Sequence, residues 1–144
     1  MEFCGKSGKI QWCIDGLAEL FDACHKSGQI PLIYYTGHGD VEGNWCFPDG
    51  TMTFEDVESY HHTHSSGKVV HVICDCCFSG MWAVKSNKLT KMNVFAAPAP
   101  DDAALDLIFS QAAFYGSAEH LQVLRDLKAV QTRFNGKECV LKYY

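Results

Sequence analysis

Nowhere in the 144 residues is there a run of about 18 apolar residues, the length a membrane-crossing helix requires. Residues 1–10 also lack an apolar stretch of signal-peptide length. Positive charge is scarce: 12 Lys and Arg stand against 17 Asp and Glu, a net charge of −5, and no basic patch of the kind that holds nucleic acid is present. These absences point to a cytoplasmic protein that engages neither membrane nor nucleic acid. Internal repeats, linkers and low-complexity tracts are missing too, so residues 1–144 read as a single domain. With 47% apolar and 20% charged residues, it has the composition of a globular protein able to bury a core.

Cysteine, by contrast, is plentiful, with eight residues. They fall at the ends of apolar runs and on the apolar face of a helix, not at the spaced loop positions of a small secreted scaffold. Free thiols in a reducing compartment are therefore expected, with Cys13, Cys24, Cys74 and Cys139 buried as small hydrophobes. His61, His62 and His64, with Cys74, Cys76 and Cys77, do not make up the two spaced ligand pairs of a zinc signature. The three histidines read instead as an exposed helix end, and no cofactor is expected.

The chemistry concentrates in two stretches. Val69-Val70-His71-Val72-Ile73-Cys74 is an apolar run that ends abruptly in Asp75-Cys76-Cys77-Phe78-Ser79-Gly80. Upstream, Pro31-Leu32-Ile33-Tyr34-Tyr35-Thr36 ends in Gly37-His38-Gly39, a histidine between two glycines. Parallel strands deliver such residues to the carboxyl edge of a sheet, where α/β folds open their clefts. His38 and Cys77 at one edge would form a thiol–imidazole pair, the minimum for nucleophilic cysteine catalysis.

Between these stretches the periodicity is helical. Ile10, Cys13, Ile14, Leu17, Leu20, Phe21 and Cys24 predict a helix over 9–27, stopped by Gly28. A strand at 31–36 follows, then a Gly-, Asn-, Asp- and Pro-rich loop from Gly37 to Gly50. Thr53 reads as the cap of a helix reaching about His64, with Asp56 in place of the usual Glu. A strand at 68–75, a helix from Gly80 to about Val84 and a strand at 93–97 come next, and Pro98 and Pro100 end the last. A helix is predicted at 117–128, and one or two strands from Gln131 to Tyr144 around the Asn135-Gly136 turn signal. This alternation argues for a mostly parallel sheet in a three-layer α/β arrangement.

Tyr35-Thr36-Gly37-His38-Gly39 and Asp75-Cys76-Cys77-Phe78-Ser79-Gly80 resemble the two catalytic motifs of the caspase-like cysteine peptidases, which include caspases, metacaspases, paracaspases and legumains. The wording is nearest that of metacaspases, and His precedes Cys, opposite to papain-like enzymes. The Gln-Ala-Cys wording of caspases is absent. The resemblance covers residues 10 to 102 and implies a caspase-like α/β/α sandwich. It also implies strands ahead of the first helix. Only residues 1–8 stand there, so the chain is expected to lack the family's usual first strands.

By the same resemblance, Cys77 is the nucleophile, His38 protonates the leaving amine, and the amides of Gly39 and Cys77 form the oxyanion hole. Cys76 takes the place of a small buried residue, and a helix starting just after Cys77 would favour its thiolate. Asp75 is implied in the pocket for the substrate residue before the cut, which predicts preference for Arg or Lys. Trp45, Phe47 and Trp82 flank the two motifs and read as core or loop packing, with walls of a peptide cleft as the alternative; Asp101 and Asp102 are read as supplementing the pocket or binding calcium. The expected activity is that of a cysteine endopeptidase acting on proteins or peptides. A catalytically inactive caspase-like scaffold or regulatory module is the alternative. An uncovered edge on strand 31–36 predicts a dimer or a partner chain there.

Overall fold

The computed structural model describes residues 8–64, 68–86 and 90–96, together with the backbone of strands 131–134 and 137–139. Helix α1 (Ile10–Ser27) follows the predicted spacing and buries Leu17, Phe21 and Cys24 along one stripe. Its first amide is satisfied from outside, since Ile10 N–H donates to Asp49 Oδ1 at 3.0 Å. At the other end Gly28 turns left-handed at φ 72°, a conformation that favours glycine, with His25 and Lys26 in the last turn complementing the helix dipole.

Strand β1 (Leu32–Thr36) alternates in burial, with Ile33 turned inward and Leu32, Tyr34 and Thr36 outward. The segment predicted as loop is partly a hairpin: β2 (Trp45–Phe47) pairs antiparallel with β3 (Gly50–Met52). Helix α2 (Phe54–His64) begins with the expected reciprocal cap. Asp56 N–H donates to Thr53 Oγ1 at 3.1 Å, and Thr53 N–H donates to Asp56 Oδ2 at 2.9 Å. Strand β4 (Val70–Asp75), the six-residue helix α3 (Gly80–Lys85) and β5 (Met92–Ala96) follow within a residue or two of their predicted limits. β6 (Gln131–Phe134) and β7 (Lys137–Cys139) form the predicted terminal hairpin. The helix predicted at 117–128 lies outside the described residues.

The main sheet runs β1-β4-β5-β6-β7. Its first three strands are parallel and the last two antiparallel, giving a mixed α/β fold around a parallel three-strand centre. Ile33, Val70, Val72, Cys74, Met92, Val94 and Ala96 form one core cluster with Leu17 and Phe21 of α1 and with Phe54 and Val57 of α2. Each large apolar side chain withdrawn from water there contributes roughly 1.5–3 kcal/mol, which accounts for helices too short to persist alone.

His61 departs from its expected place. It is fully buried, on the same α2 stripe as Phe54 and Val57, and its neutral ring donates from Nε2 to the Lys68 carbonyl at 2.7 Å. His62 is exposed, as expected, and His64 reaches Asp22 Oδ1 of α1 at 3.3 Å.

Candidate active site at the ends of two parallel strands

Register places the two motifs. Thr36 pairs with Asp75 as the last rung of the parallel β1–β4 ladder, and His38 and Cys77 each follow two residues beyond it. Close packing then holds the two extensions together. A Cβ at Gly39 would run into the Cys77 carbonyl and come within 3.3 Å of Cys76 Sγ, so only glycine fits between them. Further along, Gly43 has φ 77°, and a Cβ there would stand 2.6 Å from the Phe78 carbonyl oxygen. The Trp82 indole N–H donates to the Gly43 carbonyl at 2.6 Å. The loop carrying His38 is thus seated along the turn carrying Cys77.

Beneath this junction lies a column of rings. Trp45 stacks on Tyr35 at 4.5 Å and 9° and on Trp82 at 4.4 Å and 8°, and Phe54 meets Trp82 edge-on at 5.4 Å. Trp45 and Trp82 are each 1% exposed and lie in the core, as the packing reading expects and not as cleft walls, supporting the loop from below. Phe47 is half-buried, tilted against Tyr35 at 6.0 Å.

The His38 backbone is bonded on the hairpin side. Gly39 and Trp45 form an antiparallel bridge, Cys46 N–H donates to the His38 carbonyl at 2.9 Å, and the Tyr35 hydroxyl reaches the same oxygen at 2.9 Å. The imidazole itself is exposed, and it makes no hydrogen bond with Cys77 among the described residues. Asp40 closes the next turn, accepting from the Glu42 and Asn44 amides at 2.9 Å each and from Asn44 Nδ2 at 3.0 Å.

Four thiols gather at this end, and burial separates them. Cys74 is completely buried, and desolvation drives its pKa well above the ordinary value. Cys76, 1% exposed, is pushed up to about 12 by burial and then by the neighbouring Cys77 and Asp75. Cys46 is raised by burial and then by the Asp40 carboxylate. A thiol that stays protonated is a poor nucleophile. Cys77 is half-exposed in the turn, and the six described cysteines are free thiols. Phe78, next in the chain, has φ 56°, a left-handed conformation that costs an aromatic residue strain and swings the turn back toward α3. Ser79 steadies that turn by donating from Oγ to the Cys74 carbonyl at 3.1 Å.

The structure thus brings His38, Gly39 and Cys77 to one sheet edge. Asp75 stands at the end of β4 immediately before them and is 4% exposed. Asp101 and Asp102, with their suggested calcium role, lie outside the described residues. Among the described residues no group of three or more His, Cys, Asp or Glu side chains could hold a metal ion. No described helix is long and apolar enough to cross a membrane. Gly43 and Cys46 were not singled out from sequence, and Tyr35 stood there only as a motif residue with no role of its own. The signal that could have found them is Phe47-Pro48-Asp49-Gly50, a turn tetrapeptide between two short apolar segments, which marks the hairpin bonded to His38. No family model matches the chain, and no curated protein matches it in sequence.

Proposed function

We propose that the chain is a caspase-like cysteine endopeptidase domain working through His38 and Cys77. The observation that carries the reading is the seating of Gly39 against the Cys77 carbonyl, which ties the histidine loop to the cysteine turn at the carboxyl edge of β1 and β4. In this reading the Cys77 thiolate adds to the scissile carbonyl carbon, and the amides of Gly39 and Cys77 receive the developing oxyanion. His38 then protonates the departing amine, leaving a thioester on Cys77. Water, deprotonated by His38, hydrolyses that thioester and restores the thiol. Burial of Cys74 and Cys76 supports assigning the nucleophile to Cys77.

Asp75 gives the proposal its specificity. By the resemblance, the carboxylate two residues before the nucleophile lines the pocket for the residue before the cut, and opposite charge there favours Arg or Lys over Asp. The test is cleavage of fluorogenic peptides ending in Arg, Lys or Asp. Cleavage after Arg or Lys that is lost in Cys77→Ala and in His38→Ala, and kept in Cys76→Ala, is the expected result. Activity lost in Cys76→Ala but not in Cys77→Ala would overturn the nucleophile. Equal cleavage after Arg and Asp would remove Asp75 from the pocket.

A non-catalytic caspase-like module is the second reading, favoured by the absence of a hydrogen bond between the His38 ring and Cys77. Catalytic hydrogen bonds in ligand-free enzymes are often long, so the peptide assay decides between the two.

A further inference from the structure

The His38 ring is exposed, yet its main-chain carbonyl accepts two hydrogen bonds, one of them from a side chain. We infer that the Tyr35 hydroxyl is a positioning group for His38, fixing its main chain against β2 and so setting where the imidazole stands relative to Cys77. This rests on the cysteine-peptidase reading and adds to it a residue that touches neither substrate nor reacting atoms.

The Tyr35 ring has little freedom to move. It lies parallel to Trp45 at 4.5 Å, is flanked by Phe47 at 6.0 Å, and sits on the inward side of β1 with Ile33. From there the hydroxyl arrives between two carbonyls, 2.9 Å from that of His38 and 3.1 Å from that of Cys46. It has one proton for both, and they belong to residues that face each other beside the Gly39–Trp45 bridge, because Cys46 N–H also donates to the His38 carbonyl at 2.9 Å. The hydroxyl therefore sits at the seam between the main chain of His38 and that of β2. Gly37 makes room for it: at φ 154°, a Cβ there would come within 2.9 Å of the hydroxyl oxygen. The glycine before the histidine is thus explained by the tyrosine as well as by the turn. Burial, followed by the nearby Cys76 thiol, raises the Tyr35 pKa, so the group stays a donor through the neutral range.

A role in packing alone belongs to the ring and would survive removal of the oxygen, so the two roles separate in Tyr35→Phe. The oxygen's volume is controlled by Tyr35→4-fluorophenylalanine, which fills the same space without donating. The readout is the rate of Cys77 alkylation by iodoacetamide between pH 5 and 9, quantified on the Cys77 peptide by mass spectrometry. It is measured in the unmodified chain, His38→Ala, each Tyr35 variant, and the Tyr35→Phe/His38→Ala pair, with urea unfolding as a check on fold.

His38→Ala should slow alkylation below neutral pH. Both Tyr35 variants should slow it by about tenfold in the same range, the order of loss that a small misplacement of a catalytic group produces. In the His38→Ala background Tyr35→Phe should add nothing, since its effect passes through the histidine. In peptide cleavage the same variants should lower kcat and leave KM unchanged. An unchanged alkylation profile in the Tyr35 variants, with a clear His38→Ala effect, would overturn the positioning role and leave the dyad standing. So would an equal Tyr35→Phe effect with and without His38. If His38→Ala itself leaves the profile untouched, the dyad reading fails, and this inference falls with it.

Discussion

Gly39 is the residue at which sequence and site are most tightly joined. Its hydrogen faces the Cys77 carbonyl at a separation that no Cβ can occupy, so Gly39→Ala has to push the histidine loop off the cysteine turn. Overpacking of this kind costs about 1–3 kcal/mol, and the obstructing atoms are backbone, which cannot rotate away. The variant is expected to lose stability in that range by urea denaturation. Its Cys77 alkylation rate should fall below neutral pH toward that of His38→Ala. Full stability would mean that loop and turn are not seated on each other. The glycines around His38 were legible as a motif, but their reason was not: the structure shows room for a carbonyl at Gly39 and for a tyrosine hydroxyl at Gly37.

At the scale of the element, α2 carries a titratable group into the core. Burial lowers the His61 pKa from its ordinary value of 6.5, and the nearby His62 and Lys91 lower it further, outweighing the Lys68 carbonyl that favours the cation. A depressed histidine pKa means that the folded chain holds the ring neutral where the unfolded chain binds a proton. Its contribution is complete above the unfolded pKa and is lost as pH falls from there toward the folded value. The urea midpoint should therefore drop between pH 7.5 and 5, and His61→Leu should flatten that dependence even though it loses the bond to Lys68. A dependence of equal size in the variant would assign it to other groups. The helix itself was readable from Thr53, Asp56 and the apolar spacing. The burial of His61 was not, because a histidine joins an apolar stripe only when a carbonyl from another element, here Lys68, is there to receive its proton. The β2–β3 hairpin was missed for a different reason: its strands are three residues each, too short for alternation to register.

For the whole molecule, β1 is one of the two edge strands of the described sheet, and Leu32 on it is 51% exposed, with Ile30 just before it at 59%. No lysine or glutamate guards the strand, and unguarded edges invite pairing with another chain. Sedimentation of the isolated chain should show mass rising with concentration, and Leu32→Lys should suppress the rise; a constant monomer mass over a wide range would count against an open edge. The parallel order of β1, β4 and β5 followed from alternating helices and strands. What no pattern in the chain announced was which partners the aromatics would find: packing was a readable role for Trp45, but Tyr35 and Trp82 reach its two faces from distant segments.

That column also gives the molecule an optical identity. Two indoles held face to face at 4.4 Å and 8° are close enough for their excited states to mix, whereas Trp12, 59% exposed on α1, stands in water. One member of the coupled pair belongs to the hairpin bonded to His38 and the other to the helix that follows Cys77. Their exciton signal in circular dichroism therefore reports directly on whether the two halves of the site are docked, and Trp12 emission, accessible to a dissolved quencher, supplies an independent reference within the same chain.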